Sequence, residues 1–394
     1  MIPPIPLEEA QRRLLAAAAP LGTEQVATAE AAGRFLAAPL AAIRTQPAAD
    51  LSAMDGYAML GDDLAGPWQV VGRSAAGRPF TGTLALGQCV RIATGALMPA
   101  DAAAVLLQEE AARDGDTLNL LPGGEASARH VRRAGFDFAA GDPLLPAGAP
   151  VGPAQIALLL SAGHAALPVG RRPRLAVLDS GDELATDPAT CAPHQIPASN
   201  GAMLAAMAGP HVATLTRIGP VADTLEALAD ALQQAEGADV LVTSGGASVG
   251  DHDLIRPALE AWGATIDFWR VAIRPGKPLL VARRGDQWII GLPGNPVSSY
   301  VTAVLFLLPL LRALARASDP LPRTLRLPLA TPLPAAGTRM EFLRGRLTPN
   351  GVVPQGKQDS SALLSLAGSD ALIRRPARAM AAAAGEMVEI HLLA

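Results

Sequence analysis

Hydrophobic and polar positions follow different rhythms in different parts of this 394-residue chain. Residues 7–19 alternate at helical spacing, and the Ala-rich residues 20–45 also favour helix. From about residue 46 to residue 140, short apolar runs such as WQVVG and AAVLLQEE are separated by Gly, Pro and Asp, which is typical of a small β-rich unit. A helix is then predicted over 153–162 and a strand over 165–169.

The most regular segment runs from residue 174 to residue 316, where strand-like and helix-like runs alternate. We predict strands at RLAVLD, HVATLTRIG, DVLVTS, TIDFWRVAI, PLLVARR and QWIIGL, and helices at SNGAMLAAMAG, DTLEALADALQQAE, DLIRPALEAWG and from Pro296 onward. Such alternation indicates a mostly parallel sheet covered on both faces. Ligands bind such sheets beyond the carboxyl ends of the strands, which here carry the segments 179–183, 243–246 and 292–296.

The end of the chain has a third texture. A Pro-rich stretch, SDPLPRTLRLPLATPLP, is followed by short β-like runs, two of which are joined through Asn350 and Gly351. The predicted fold class is therefore multidomain α/β, with a central doubly wound, mostly parallel sheet, a β-rich insertion, an elongated helical or extended segment and a small C-terminal β-barrel-like domain. The predicted boundaries are 1–45 with 141–170 for the elongated segment, 46–140 for the β-rich domain, 171–317 for the α/β domain and 318–394 for the C-terminal domain.

The composition of the chain argues against several classes of function. The formal net charge of -4 argues against a non-specific nucleic-acid binder, so any anionic ligand needs a local basic cluster. Cys89 and Cys191 lack CxxC spacing, which argues against a disulfide framework or structural zinc and fits a reducing cytoplasm. The N-terminus lacks the basic start and apolar run of a signal peptide. The apolar stretch 300–311 is too short to span a bilayer, so we predict a buried helix and no membrane association.

The segment DVLVTSGGASVGDHD predicts a strand that runs into a loop of small residues and then a helix. Consecutive backbone N–H groups in such a loop can hold a phosphate, although a loop that only needs Gly for a sharp turn reads the same way. The candidate binding positions are Ser244, Gly245, Gly246, Ser248 and Gly250.

The same loop also spells GxSxG, the nucleophile elbow of α/β hydrolases, with Ser248 as the nucleophile. That alternative needs a histidine late in the chain, and only His252 and His391 follow Ser248. His252 is four residues away, and His391 lies in the last predicted strand of a separate domain, so both are poorly placed for a triad.

Two further turns are candidates for anion binding, one because it is basic and the other because it precedes a helix. FWRVAIRPGKPLL places three cations around a Pro-Gly turn, which suits an oxyanion, although scattered cations more often form surface ion pairs. GLPGNPVSSY joins a strand to a helix whose first turn offers N–H groups to an anion, although Pro at the first helical position is also a common structural device. The candidates are Arg270, Arg274 and Lys277 in the first turn and Pro293, Asn295, Pro296 and Ser298 in the second.

The carboxylates have ordinary structural explanations as well as functional ones. Asp223 and Asp253 each begin a predicted helix, so helix capping accounts for both. Glu183 follows a strand, and Asp55 forms an Asp-Gly turn in LSAMDGYAM. Grouped near phosphate-binding loops, these acids could instead hold a Mg²⁺ that bridges phosphate oxygens.

Together these segments resemble the molybdopterin molybdenumtransferase family, which includes bacterial MoeA and the E domain of gephyrin. The matching strings, in order from residue 46 to the end, are LSAMDGYAM, RIATGALMPADAAAVLLQEE, DSGDEL, DVLVTSGGASVGDHD, FWRVAIRPGKPLL, GLPGNPVSSY and RMEFLRGRL. The resemblance implies an elongated homodimer with the active site between the α/β domain of one subunit and the β-rich domain of the other. It implies a reaction of adenylylated molybdopterin with molybdate that releases AMP in the presence of Mg²⁺, with a molybdopterin adenylyltransferase as a further possible partner.

The resemblance also implies roles for individual residues. The Gly245–Gly250 loop would hold phosphates, and Asp55, Glu183, Asp223 and Asp253 would handle Mg²⁺ and the attack on the pyrophosphate, with Glu183 and Asp223 as metal ligands. Positions that match molybdate-binding or other site positions are Thr94, Arg270, Arg274, Lys277, Ser298, Arg344 and one of Ser360 and Ser361.

The chain departs from the family pattern at several places. It has Arg270 and Arg274 where Lys is frequent, and Asp179-Ser180-Gly181 where Ser-Thr-Gly is common. These departures leave room for a divergent paralogue, for instance one that prefers tungstate. A non-catalytic scaffold, a role that gephyrin also serves, is a further alternative, and the chain shows no linker or fused domain in its favour.

Overall fold

The computed structural model describes residues 4–245 and 254–393. The N-terminal part contains one long mixed sheet and several two-stranded ribbons. Its helices are α1 (Leu7–Ala17) and α2 (Pro153–Ser161), and its strands are β1 (Thr23–Ala27), β2 (Leu40–Ala41), β3 (Leu51–Ser52), β4 (Gly56–Leu60), β5 (Trp68–Ser74), β6 (Gln88–Ile92), β7 (Ala102–Leu107), β8 (Ala111–Asp114), β9 (Thr117–Leu120), β10 (Val131–Arg132), β11 (Pro143–Leu145) and β12 (Ala166–Gly170).

Pairing in this part shows an insertion. Strands β7-β4-β6-β5-β9-β8 form a six-stranded sheet, while β1 pairs with β12 and β2 pairs with β11, both antiparallel. The chain before the six-stranded sheet is therefore held to the chain after it. Trp68, Met59 and Leu106 lie in the core of the inserted sheet, fully or almost fully buried.

The middle of the chain forms a second six-stranded sheet in the order β16-β13-β17-β21-β20-β18. The first four strands are parallel, and β20 runs antiparallel to both of its neighbours, β21 and β18. The elements are β13 (Arg174–Ser180), β14 (Leu184–Ala185), β15 (Ile196–Pro197), α3 (Asn200–Ala208), β16 (Thr214–Val221), α4 (Leu225–Gln234), β17 (Val240–Ser244), α5 (Ile255–Ala261), β18 (Thr265–Arg270), β19 (Ile273–Arg274), β20 (Pro278–Arg284), β21 (Gln287–Leu292), α6 (Pro296–Thr302) and α7 (Leu308–Leu314).

The C-terminal part is mainly antiparallel. Its sheet has the order β19-β23-β25-β26-β22, with β24 paired to β23 across the predicted turn at Asn350. The elements are β22 (Thr324–Pro328), β23 (Met340–Thr348), β24 (Gly351–Pro354), α8 (Leu363–Ala367), β25 (Ala371–Arg375) and β26 (Met387–Leu392). Because β19 comes from the middle of the chain, the turn after β18 is shared between two sheets.

The predicted apolar helix is confirmed as a buried one. Residues Pro296–Leu314 are long and apolar enough to cross a membrane, but 78% of that span is buried inside the protein. The helix widens into a π segment over Ala303–Leu307. The side-chain amide of Gln11 on α1, itself buried, donates to the Leu305 carbonyl there at 3.0 Å. A π segment disturbs the regular helical hydrogen bonds, and Gln11 satisfies one of its carbonyls.

Three expectations were wrong. Residues 20–45 form β1, a 3-10 turn at Thr28–Glu30 and β2 rather than helix, because Pro20, Gly22, Gly33 and Pro39 interrupt the Ala-rich run and strand pairing prevails. The run TIDFWRVAI divides into β18 and β19, which belong to different sheets. Asp223 does not cap α4: the Thr224 hydroxyl accepts from the Ala227 amide at 3.2 Å instead.

Asp239, the residue before β17, forms hydrogen bonds with the segment that leads into the neighbouring strand β13. It accepts from the Arg174 amide at 2.7 Å and from the side chains of Arg171 and Arg174 at 3.2–3.3 Å. Burial raises the pKa of Asp239, but the hydrogen bonds from Arg174 and Arg171 outweigh it, so the pKa lies below the ordinary carboxyl value. The folded protein therefore holds the ionised form more tightly than the unfolded chain does.

We expect Asp239→Asn to lower the free energy of unfolding by about 2 kcal/mol at pH 7, because hydrogen bonds to a charged group are lost. A depressed pKa stabilises the fold above the ordinary carboxyl pKa, and this contribution disappears as the pH falls through the folded value. Urea unfolding at pH 7 and at the lowest pH where both proteins stay folded should therefore show a shrinking difference. Asp286→Asn, at an exposed acid, is the control and should change little. A difference that grows on acidification would contradict this account.

Candidate functional site

Three neighbouring parallel strands of the middle sheet end side by side. In the register of the sheet, Asp179 on β13 lies opposite Ser244 on β17, and Ser244 lies opposite Leu292 on β21. The Gly245 amide then donates to the Leu292 carbonyl at 3.1 Å, which closes the chain over the strand ends. The buried runs of these strands fix the register, so the polar residues that follow them emerge along one edge.

A cavity of about 440 Å³ opens at this edge. Its floor is formed by Asp179, Ser180 and Ser244, and β15 with the start of α3 forms one wall. The turn from Gly294 to Pro296 forms another wall. Ser361 and Leu363, from the C-terminal part, complete the lining. A cavity of this size suits a small molecule, and its position follows the rule for parallel sheets.

Asn200 braces two walls of the cavity. Its side-chain amide donates to the Gly294 carbonyl at 2.6 Å, which joins the start of α3 to the turn before α6. The brace holds the two turns at a fixed separation, as pre-organised binding sites require.

The C-terminal part is fastened to the start of α6. The Val297 amide donates to the Ser360 carbonyl at 3.1 Å, and Asp359 accepts from the amide and hydroxyl of Ser361 at 2.9 and 2.6 Å. Behind this loop, buried Arg344 donates to the carbonyls of Lys357 and Asp359 at 3.0 and 2.9 Å. Arg344 thus holds the loop that presents Ser361, and its own side chain does not line the cavity.

The basic turn lies beside the first turns of α6. A Cβ at Gly276 would come within 2.5 Å of the Thr302 side chain and 3.5 Å of the Ser298 carbonyl, so only glycine allows this approach. Lys277 is exposed, and Arg274, with 64% of its side chain exposed, lies 3.4 Å from Glu341. Such an exposed pair is weak and leaves the guanidinium accessible to a ligand.

Acidic side chains gather beyond the ends of β13 and β16. The Asp223 amide donates to the Asp182 carboxylate at 3.0 Å, and the Glu183 carboxylate folds over Gly181, where a Cβ would lie 2.6 Å from it. Burial and the charges of Asp182 and Glu183 raise the pKa of Asp223. No ion pair offsets these three acids among residues 4–245 and 254–393, so the cluster carries uncompensated negative charge.

Asp55 lies in the inserted sheet domain, outside the lining of this cavity. Its carboxylate accepts from the amide and hydroxyl of Thr94 at 2.6 and 3.0 Å, and these bonds lower its pKa. The pair predicted separately from LSAMDGYAM and RIATGA is therefore one local unit.

The predicted site residues fall into distinct groups. The cavity lining contains Glu183, Ser244, Gly245, Asn295, Pro296 and Ser361. Neighbouring or supporting positions, at the turns, the helix start and the acidic cluster, are Asp223, Arg270, Arg274, Lys277, Pro293, Ser298, Arg344 and Ser360. Gly246, Ser248, Gly250 and Asp253 lie outside the described residues.

The serine-hydrolase alternative gains no support from His391. That ring is buried in the C-terminal sheet, stacks 6.0 Å from Phe342 and contacts the Arg323 carbonyl through Nδ1 at 3.2 Å. The ring packs within this sheet and does not line the cavity.

Asp179, Asn200 and Leu363 were not among the individual site residues predicted from the sequence, although each lines the cavity. Asp179 had a readable signal, because it stands at the end of a buried strand. Asn200 and Leu363 had none, because they reach the cavity only through the long-range packing of α3 and of the C-terminal loop.

Three family descriptions match successive parts of the chain. They are "MoeA N-terminal region (domain I and II)" at residues 5–163, "Probable molybdopterin binding domain" at residues 176–313 and "MoeA C-terminal region (domain IV)" at residues 326–393. The middle match contains the three strand ends and most of the cavity lining.

Individual relatives agree with these matches. The molybdopterin molybdenumtransferase of Bacillus subtilis is 32% identical over an aligned length of 408, which covers 99% of this chain and 94% of the relative. That of Haemophilus influenzae is 35% identical over 75% of this chain and 74% of its own length. A solved molybdopterin biosynthesis MoeA protein from Pyrococcus horikoshii has a TM-score of 0.78 at 28% identity and covers 99% of both chains.

Proposed function

Because this chain belongs to the molybdopterin molybdenumtransferase family, we infer that the cavity at the ends of β13, β17 and β21 binds its pterin substrate. The chain is a transferase of molybdenum cofactor biosynthesis. We propose that adenylylated molybdopterin and molybdate react here, with cleavage of the pyrophosphate bond, release of AMP and transfer of molybdenum to the dithiolene. The in-register strand ends that carry Asp179 and Ser244, covered by Ser361 from the C-terminal part, are the observation on which this proposal rests.

The residues around the cavity suit different parts of such a substrate. The turn from Gly294 to Pro296 offers backbone N–H groups to phosphate oxygens, and Ser244 offers its hydroxyl. Ser361, whose hydroxyl donates to Asp359, contributes its side chain to the lining. These groups bind and orient the substrate.

The acidic cluster fits Mg²⁺ in the kind of donor that it offers. Mg²⁺ prefers carboxylate oxygens and water, and Glu183 and Asp223 belong to a cluster in which burial and the neighbouring negative charges raise the pKa of Asp223. No three such side chains converge on one point within residues 4–245 and 254–393, so these residues would supply part of an ion's shell and the substrate phosphates another part. When bound, Mg²⁺ would neutralise charge on the pyrophosphate oxygens.

The exposed cations Arg274 and Lys277 are the proposed molybdate-binding groups. Molybdate is a dianion, and a chain with a net charge of -4 needs local positive charge to capture it. Both side chains come from the turn that packs on α6 beside Ser298, close to the loop of Ser360 and Ser361. Arg344 supports that loop from behind.

We propose a homodimer in which Asp55, which does not line the cavity of its own chain, serves the partner's site. Its carboxylate is kept ionised and oriented by Thr94. We further propose that this dimer works in the cytoplasm.

The direct test is AMP release. Purified protein with adenylylated molybdopterin, Mg²⁺ and molybdate should release AMP, measured by chromatography, and a parallel titration with tungstate identifies the preferred oxyanion. Asp223→Asn should reduce the rate at least about 100-fold, the scale of losing one stabilising group at a reaction centre. It should leave the melting temperature nearly unchanged, because Thr224 caps α4. A folded wild-type protein that releases no AMP with either oxyanion contradicts the function.

For molybdate capture, we expect Arg274→Ala to raise the half-saturating molybdate concentration about 10- to 100-fold, because a charge-assisted hydrogen bond is worth about 1.5–3 kcal/mol. Arg274→Lys should fall between the two. Arg346→Ala, at an exposed arginine on β23, is the matched control. If Arg274 serves only its pair with Glu341, the half-saturating concentration will stay unchanged in Arg274→Ala and in Glu341→Gln.

Subunit mixing tests the shared site. Neither Asp55→Asn nor Asp223→Asn should be active alone. Random mixtures of the two should regain about a quarter of wild-type activity, because half of the dimers are mixed and each mixed dimer holds one intact site. Inactive mixtures that contain confirmed heterodimers would show that each site is built from one chain.

A further inference from the structure

Asp179 is a buried carboxylate at the floor of the cavity. It is 4% exposed, and no ion pair involves it in the described part of the chain. Burial raises its pKa, while the charge of Arg217 and a hydrogen bond from the Gly201 backbone lower it. A buried carboxylate without a paired cation is costly, so such a group needs a structural or a ligand-binding reason.

Part of the structural reason is that Asp179, which is distant in sequence from α3, caps the N-terminus of that helix. Asp179 faces the first turn of α3, and a Cβ at Gly201 would lie 1.9 Å from its Oδ2. Ser199, at the usual capping position, makes no such bond within the described residues, so Asp179 takes that role. One hydrogen bond leaves acceptor capacity unused, since a carboxylate has about four lone-pair sites.

The carboxylate also decides what this wall of the cavity can bind. A helix N-terminus attracts phosphates, but at α3 that place is already taken by a negative group. Glu183 lines the same side, which makes the wall repel anions. The phosphates of a substrate therefore belong at the Gly294–Pro296 side, and the end that meets Asp179 must be rich in hydrogen-bond donors.

We propose that Asp179 is a specificity-determining residue that binds the 2-amino-4-oxopyrimidine edge of a pterin through its ring N–H and exocyclic amino group. This inference rests on the proposed function, because it assigns the orientation of the same substrate in the same cavity. Adjacent N–H donors match the two oxygens of a carboxylate, as in other bidentate recognition. The role belongs to this chain in particular, since Ser is common at this position in the pattern that the chain resembles.

The test compares two free pteridines by fluorescence titration. The wild-type protein should bind the 2-amino-4-oxo compound about 10- to 100-fold more tightly than its 2,4-dioxo analogue, which lacks the amino donor. Asp179→Asn keeps an acceptor for Gly201 but loses the charge and one acceptor, and it should reduce this preference to below about threefold. Asp179→Ser should do the same. Affinity for AMP should change by less than about twofold in both variants, because we place its phosphate at the Gly294–Pro296 turn and not at Asp179.

Asp230→Asn, at an exposed acid on α4, is the matched control and should keep the wild-type preference. A wild-type protein that does not discriminate between the two pteridines overturns the inference without the need for any variant. An unchanged preference in Asp179→Asn and Asp179→Ser also overturns it and leaves Asp179 as a helix cap alone. A protein that discriminates but releases no AMP from the full substrate contradicts the proposed function and leaves the role of Asp179 intact.

Discussion

The burial of one apolar helix, residues 296–314, is the constraint on which the arrangement of this molecule depends. Leu305, Phe306, Leu310 and Leu311 on this helix are at most 1% exposed, and burying each such side chain contributes roughly 1.5–3 kcal/mol. The same helix receives Gln11 from the N-terminal helix, and its first turn receives Ser360 from the C-terminal part. Its position against the parallel sheet therefore sets where the other parts of the chain meet that sheet.

This placement explains why the cavity combines residues that are distant in sequence. The strand ends supply Asp179 and Ser244 in register, and the turn before α6 is fixed once the helix packs. The C-terminal loop can then reach the opening only because Val297 binds it and buried Arg344 shapes it. The acids around Asp223 contribute little to the packed core and lie on loops. The sheet and the buried helix hold these loops in place, so the fold can accommodate the repulsion between the acids.

The local pattern of hydrophobic and polar residues was enough to predict the elements that depend mainly on local sequence. Buried runs such as DVLVTS identified the parallel strands, and the rule for strand ends located 179–183, 243–246 and 292–296 at one edge. Pattern failed where distant contacts decide: the Ala-rich residues 20–45 form strands because β11 and β12 pair with them. Nothing local shows that Arg344 is buried behind a loop or that Asp179 caps a helix, since both depend on elements brought together by folding.

Charge divides the opening in a way that neither net charge nor composition reveals. Asp179 and Glu183 make one wall negative, while Arg274 and Lys277 stand on a turn that packs beside α6. Under the proposed function, a substrate with a donor-rich ring at one end and phosphates at the other is oriented by this division before close contacts form. Electrostatic interactions act over about 8–10 Å at physiological salt, which is farther than hydrogen bonds or packing reach. An acidic protein can therefore bind two anionic substrates, because the local charge in and around the cavity, and not the total charge, decides where each of them binds.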